Sequence, residues 1–369
     1  MFDSQPWLCL PISKSILAAI LLRVHFLNVG HGDCTIIEHP SGRLTMIDVN
    51  NSQEFDAETF AQELAEERRK LQAGNPLANA GIGMLAGVGT GVGTSQMGSL
   101  FAPTPTLLSG LGDLSGYTEV YARQKRELTD PIEFMKTNYP NRGLWRFVLT
   151  HPDLDHMRGL KRLSENVGFA NFWDTKHTKE TPTFRSNSAD EEDWKFYQSL
   201  RSANAGKCYT RGDSLYAFGK EEDGRPGGDN IEILSPTPEL IGACNTAQKS
   251  NDVSLVLRVH HAGRSILLPG DAEELAWDGM VDFYGARLKS DFLKAGHHGR
   301  DTGYHQSAVK LIAPELTIVS VGMKPDTDAS NKYRQQTGKR VPSTRYHGNI
   351  KIEIDDNGTW RWFVDQNPG

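Results

Sequence analysis

Thr150-His151-Pro152-Asp153-Leu154-Asp155-His156 is the stretch that decides how this 369-residue chain is read. It places two imidazoles and two carboxylates within six residues, directly after the apolar run Arg146 to Leu149. A short run of this kind reads as a buried strand, and loops at strand ends are where ligands gather. One His beside one Asp usually means a turn or a cap. Two of each at a strand end suit a divalent metal that keeps a position open for water.

Working outward, Leu268-Pro269-Gly270-Asp271 ends a second apolar run with a carboxylate, and Lys294-Ala295-Gly296-His297-His298-Gly299 ends a third with paired histidines. Each is weak alone, because Gly-Asp turns and surface His pairs are ordinary. Together they describe one site drawn from three strand ends. A polar structural cluster is the alternative, but so many carboxylates would repel one another without a cation.

Upstream, the chain opens as a β-meander, with strands expected at Val24 to Val29, Cys34 to Glu38 and Leu44 to Val49. Helices are expected at Asp56 to Leu71, from Pro131 to about Asn138, from Asp155 to Leu163 and at Ser188 to Leu200. A second half follows with strands at Ile231 to Leu234, Val253 to His260, Ser265 to Leu268, Phe292 to Ala295, Leu316 to Val321 and Ile350 to Ile354. Helices at Glu273 to Tyr284 and His305 to Ile312 lie between them. Two halves of strands and helices predict an α/β fold of two packed sheets with helices outside.

These motifs, in this order, resemble the metallo-β-lactamase superfamily, and within it the hydrolase domain of ComEC-type DNA-uptake proteins and their stand-alone relatives. Phe26-Leu27-Asn28-Val29-Gly30-His31-Gly32-Asp33 resembles that group's opening motif, with Asn28 where Asp is usual and His31 where Gln is usual. Met46-Ile47-Asp48 resembles the second strand-end motif. His151 to His156 matches the metal motif, with Asp153 where the wider superfamily has His. Asn251 and Ser254 resemble the segment that replaces the third-motif histidine. Gly270-Asp271 and His297-His298-Gly299 match the last two metal motifs, although Arg300 stands where Ser usually follows. The segment Ser343 to Ile350 resembles the closing motif. The likeness runs from about Val24 to Trp360.

The resemblance implies a four-layer αββα sandwich of two mixed β-sheets and a metal-dependent hydrolase. It implies two divalent ions, with His151 and Asp153 on one, Asp155 and His156 on the other, and Asp271 bridging. One histidine of the pair completes the set, with His297 preferred and His298 turned to substrate. Asp155 is expected to orient the attacking water, and Asp48 to support the shell. His31, Asn251, Arg300 and Thr344 are the remaining substrate-side candidates. Oxygen-rich ligands beside imidazole suit Mn²⁺ or Zn²⁺.

A phosphodiesterase or nuclease acting on nucleic acid or a nucleotide is the leading expectation. Arg300 and the basic stretch of Lys324, Lys332, Arg334, Lys339, Arg340 and Arg345 favour phosphate, while a formal net charge of -6 argues against general attraction to nucleic acid. A lactonase or thioester-type carboxyl hydrolase is the rival, and a non-catalytic interaction protein on the same fold is a third reading.

The composition, 38% hydrophobic and 23% charged, is that of a globular chain. No run is long enough to span a bilayer. Residues 1–23 read as a leader and 24–369 as the hydrolase domain, interrupted by a Gly-rich insertion at about 74–116 that could serve as a partner-binding arm. Scattered single cysteines point to a reducing compartment, hence cytoplasm. A homodimer stays open.

Overall fold

In a computed structural model, the described residues are 21–51, 128–184, 188–213, 220, 228–322 and 327–365. The expected helix at 56–71, the Gly-rich insertion, most of the leader and Lys324 lie outside them. Among the described residues two mixed sheets form. The larger has eight strands in the order β13-β12-β1-β2-β3-β4-β5-β6, and the smaller has five in the order β11-β10-β9-β8-β7.

The larger sheet starts with β1 (Leu21–Phe26), β2 (Thr35–Glu38) and β3 (Leu44–Ile47), joined as an antiparallel meander. β1 thus begins inside the segment read as a leader. Parallel strands β4 (Leu144–Val148), β5 (Phe169–Asp174) and β6 (Gly206–Cys208) extend one side. The hairpin β12 (Ile350–Asp355) and β13 (Trp360–Val364) closes the other. The smaller sheet comprises β7 (Ile231–Ser235), β8 (Val256–His261), β9 (Arg264–Leu268), β10 (Phe292–Lys294) and β11 (Leu316–Ile318), with β9, β10 and β11 parallel.

Side-chain alternation explains why these strands stack as two sheets. In β1, Leu22, Val24 and Phe26 are buried while Leu21, Arg23 and His25 are only half so. Leu22, Val24 and Phe26 pack with Leu257, Val259, Ile266, Leu268 and Phe292 of the smaller sheet in one central core. Burying each such side chain contributes roughly 1.5–3 kcal/mol, so this interface fixes how the two sheets meet.

The outer faces carry helices. Helices α1 (Pro131–Asn138), α2 (Leu160–Asn166) and α3 (Ala189–Ser202) bring Ile132, Leu163 and Tyr197 onto the larger sheet. A helix at Pro238–Ala247 (α4) follows β7. Helices α5 (Glu274–Tyr284), α6 (Gln306–Ile312) and α7 (Ser330–Thr337) bring Trp277, Val309 and Tyr333 onto the smaller one. A last short turn, α8, spans Thr344–His347. The outcome is the expected four-layer αββα order.

Candidate metal centre

The carboxyl ends of β1, β3, β4, β9 and β10 open at one edge of the sandwich. The loop after β1 delivers His31 and Asp33, β3 delivers Asp48, and β4 delivers His151 to His156. β9 delivers Asp271, and β10 delivers His297 and His298. Gly270 is needed for this convergence. Its φ is +56°, and a Cβ there would lie 2.9 Å from Thr150 Cβ, so the turn that presents Asp271 packs directly on the β4 loop.

Asp271 Oδ2 sits at the focus. His156 Nε2 is 3.2 Å away, His298 Nε2 3.3 Å, His297 Nε2 3.8 Å and His151 Nε2 3.9 Å. Asp155 Oδ2 lies 3.2 Å from His298 Nε2 and 4.0 Å from His156 Nε2. Asp153 Oδ1 lies 3.7 Å from His151 Nε2 and 2.5 Å from Lys179 Nζ. His31 stands at the rim, with Nε2 3.9 Å from Asp155.

Behind the focus, Asp48 takes up the far side of His156. It accepts from the Thr150 backbone N–H and hydroxyl, each at 2.8 Å, and faces His156 Nδ1 at 2.8 Å. This fixes the ring so that Nε2 points inward. The Nδ1 of His298 faces the Ser320 carbonyl at 3.2 Å. Asp33 is buried beside it, 3.6 Å from the same nitrogen, and is paired with the buried Lys294 ammonium.

The electrostatics match a site built around cations. Burial opposes charge on His156, yet the carboxylates of Asp271, Asp48 and Asp155 outweigh it and hold its pKa well above the ordinary imidazole value. Burial likewise opposes charge on His298, and Asp271 and Asp33 outweigh it. Asp271 and Asp155 resist the upward push of burial because the same imidazoles hold them well below the carboxylate range. His151 differs. Burial and the neighbouring His156 lower its pKa, favouring the neutral form that binds metal.

The residues fit a divalent cation on a direct observation. His151 Nε2 and Asp271 Oδ1 are buried and have no hydrogen-bond partner among the described residues, a costly arrangement unless something satisfies them. Asp33, His156, Asp271 and His298 all offer ligand atoms within 4.8 Å of one another. Because Lys294 already neutralises Asp33, the chemistry favours Asp155 over Asp33 as the fourth group of that cluster. His298 rather than His297 sits inside it: its Nε2 lies 3.2 Å from Asp155 and 3.3 Å from Asp271, whereas that of His297 is 3.8 Å from Asp271.

Other candidates fall in different places. Asn251 donates to Glu273 at 3.3 Å, behind His297. Arg300 follows the His pair and its backbone bridges to Asp328. Thr344 is buried, and its hydroxyl spans the Val321 backbone, accepting from the amide at 3.0 Å and donating to the carbonyl at 3.2 Å. Lys179, Lys294 and Glu273 were missed in the sequence: Lys294 heads the third strand-end stretch and Glu273 stands two residues past Asp271, but their partners, like the Asp153 partner of Lys179, are fixed only by the fold.

Residues 139–322 match the family model described as the metallo-beta-lactamase superfamily. Competence protein ComA of Neisseria gonorrhoeae is 31% identical over 108 residues, covering 29% of this chain and 15% of that protein. ComE operon protein 3 of Bacillus subtilis (strain 168) is 29% identical over 129 residues, covering 35% and 15%. The chain therefore spans only about 15% of the length of these curated relatives. The solved structure of Igni18, a novel metallo hydrolase from the archaeon Ignicoccus hospitalis KIN4/I, aligns over 93% of this chain and all of its own at 15% identity, with a TM-score of 0.41. CmlA, a diiron β-hydroxylase from Streptomyces venezuelae, aligns over 89% of this chain and 53% of its own at 10% identity, with a TM-score of 0.41. No helix among the described residues is long and apolar enough to cross a membrane.

Proposed function

Since the chain belongs to the metallo-β-lactamase superfamily, we propose that it is a metal-dependent hydrolase whose substrates are phosphodiesters, with nucleic acid or a nucleotide as the class. The observation that carries this reading is the convergence of four imidazoles on Asp271 Oδ2, within 3.2 to 3.9 Å. His151 and Asp153 would hold one ion, and Asp155, His156 and His298 another, with Asp271 shared. Zn²⁺ and Mn²⁺ both suit this mixture of nitrogen and oxygen donors. A divalent ion bound there would acidify water and neutralise charge developing on the substrate.

The chain's own groups do the rest. Asp48 keeps the His156 ring in register. Asp155 is still 23% exposed at its side chain, so it can meet and orient the attacking water. His31 at the rim stands where an incoming ester would pass. Lys179, 27% exposed and paired with Asp153, supplies positive charge beside the centre. A phosphodiester anion gains from that charge, whereas a lactone or thioester would gain more from an apolar wall, so the phosphodiester reading is preferred.

The test is a panel assay of the chain reconstituted with Mn²⁺ or Zn²⁺. Single-stranded DNA, duplex DNA, RNA and bis(p-nitrophenyl) phosphate are compared with a lactone and a thioester. Cleavage of a phosphodiester is expected. Asp155→Ala should lose more than the roughly 100-fold reached when an outer partner of a ligand is removed. Cleavage of the lactone or thioester alone would overturn the substrate class, and an unchanged Asp155→Ala would overturn the mechanism.

A further inference from the structure

We infer that Glu273 is the positioning residue of His297, and that the two together complete the half of the centre containing His151 and Asp153. The inference rests on the metal-centre reading above and adds a residue to it.

The four imidazoles around Asp271 Oδ2 fall into two pairs by distance. His156 and His298 are near, at 3.2 and 3.3 Å, while His297 and His151 are farther, at 3.8 and 3.9 Å. Asp155 accompanies the near pair and Asp153 accompanies His151. Assigning His297 to the half with His151 gives each half two imidazoles, one carboxylate of its own and a share of Asp271. Without His297, the half with His151 would have a single imidazole. Ser254, in the segment that replaces the third-motif histidine, brings no imidazole, and its hydroxyl accepts the Asp271 backbone N–H at 3.2 Å.

Every one of these rings has its Nδ1 engaged. His156 uses Asp48, His298 the Ser320 carbonyl and His151 the Thr150 hydroxyl at 3.1 Å. His297 uses Glu273, with Nδ1 to Oε1 at 2.7 Å, and Thr302 Oγ1 lies at the same distance. An imidazole that donates from Nδ1 presents a lone pair at Nε2, which is the form a cation needs.

Glu273 is built to hold that position. It stands two residues beyond Asp271, at the N-cap of α5. Asn251 donates to its Oε1 at 3.3 Å, and its backbone N–H donates to Asp252 at 3.0 Å. The backbone around His297 is equally confined. A Cβ on Gly296 would meet the Gly303 carbonyl at 2.9 Å and the Ala272 carbonyl at 3.1 Å. With the main chain so placed, the ring of His297 can turn only about its side-chain bonds, and Glu273 decides where it stops.

The test is native mass spectrometry of the whole chain titrated with Zn²⁺, which reads ion count independently of activity. The wild type should bind two ions. Glu273→Ala and His297→Ala should each keep the first and weaken the second by about 10–100-fold. Glu273→Gln, whose amide oxygen still accepts from Nδ1, should restore part of that loss. Combining Glu273→Ala with His297→Ala should weaken the second ion no further than His297→Ala alone. Glu273→Ala binding both ions with wild-type affinity would overturn the inference while leaving the metal centre standing. A wild type that binds one ion would also overturn it. A wild type that binds none would sink the metal-centre reading itself.

Discussion

At the scale of single residues, the carboxylates around His156 and His298 favour their charged forms, so a cation binding there competes with protons. Both have raised pKa values because, although burial opposes it, the carboxylates around them hold the charged form. In the metal-free protein that contribution to stability is full below the ordinary imidazole value of 6.5 and is lost as pH rises through the raised folded-state values. Asp155 and Asp271 act with the opposite sign. Their depressed values contribute stability above 3.8 that is lost as pH falls through the folded-state values. Zn²⁺ binding should therefore release protons and tighten as pH rises. Calorimetric titrations in two buffers of different ionisation enthalpy check this. Equal heats in both, with affinity independent of pH, would contradict it. The ligand motifs were legible because each is a dense cluster of one chemistry at a strand end. Which histidine of the pair enters the tight cluster was not, since adjacent residues differ only in the backbone turn that aims them. Lys179, Lys294 and Glu273 gain meaning only from side-chain partners that are 22 or more residues away, and no local pattern announces them.

At the scale of elements, local rules succeeded where capping and alternation agree. The helix expected from Pro131 is met, and Asp130 caps α1 by accepting from Ile132 at 2.8 Å and Glu133 at 3.3 Å. Asp130→Ala should cost about 1 kcal/mol of stability, with a further loss from its partners Arg162 and Asn51. Urea unfolding measures it, and an unchanged midpoint would count against the cap. Local rules failed where tertiary contacts intervene. The helix expected from Asp155 breaks at Gly159, whose φ is +88°, so only Leu160–Asn166 is helical beyond it. The strand expected from Val253 starts at Val256, because the preceding turn sends Asp252 to accept from Glu273 and Ala276 at the start of α5. Helix α7 was invisible for a compositional reason. Its sequence SNKYRQQT has no apolar stripe, and Tyr333 is its one buried residue.

At the scale of the whole molecule, the sandwich and the centre are one design. Parallel strands bring several carboxyl ends to the same edge, and the buried core between the sheets holds those ends in register. The two-half pattern of strands and helices made that architecture readable, whereas the pairing of β1 with β12 across more than three hundred residues was not. Anomalous diffraction from crystals soaked in Mn²⁺ would test the centre most directly. A peak within about 2.3 Å of ligand atoms of His156, Asp271 and His298 is the predicted result. A crystal with no ion there, or with its ions bound elsewhere and Asp271 still contacted only by protein, would contradict the account.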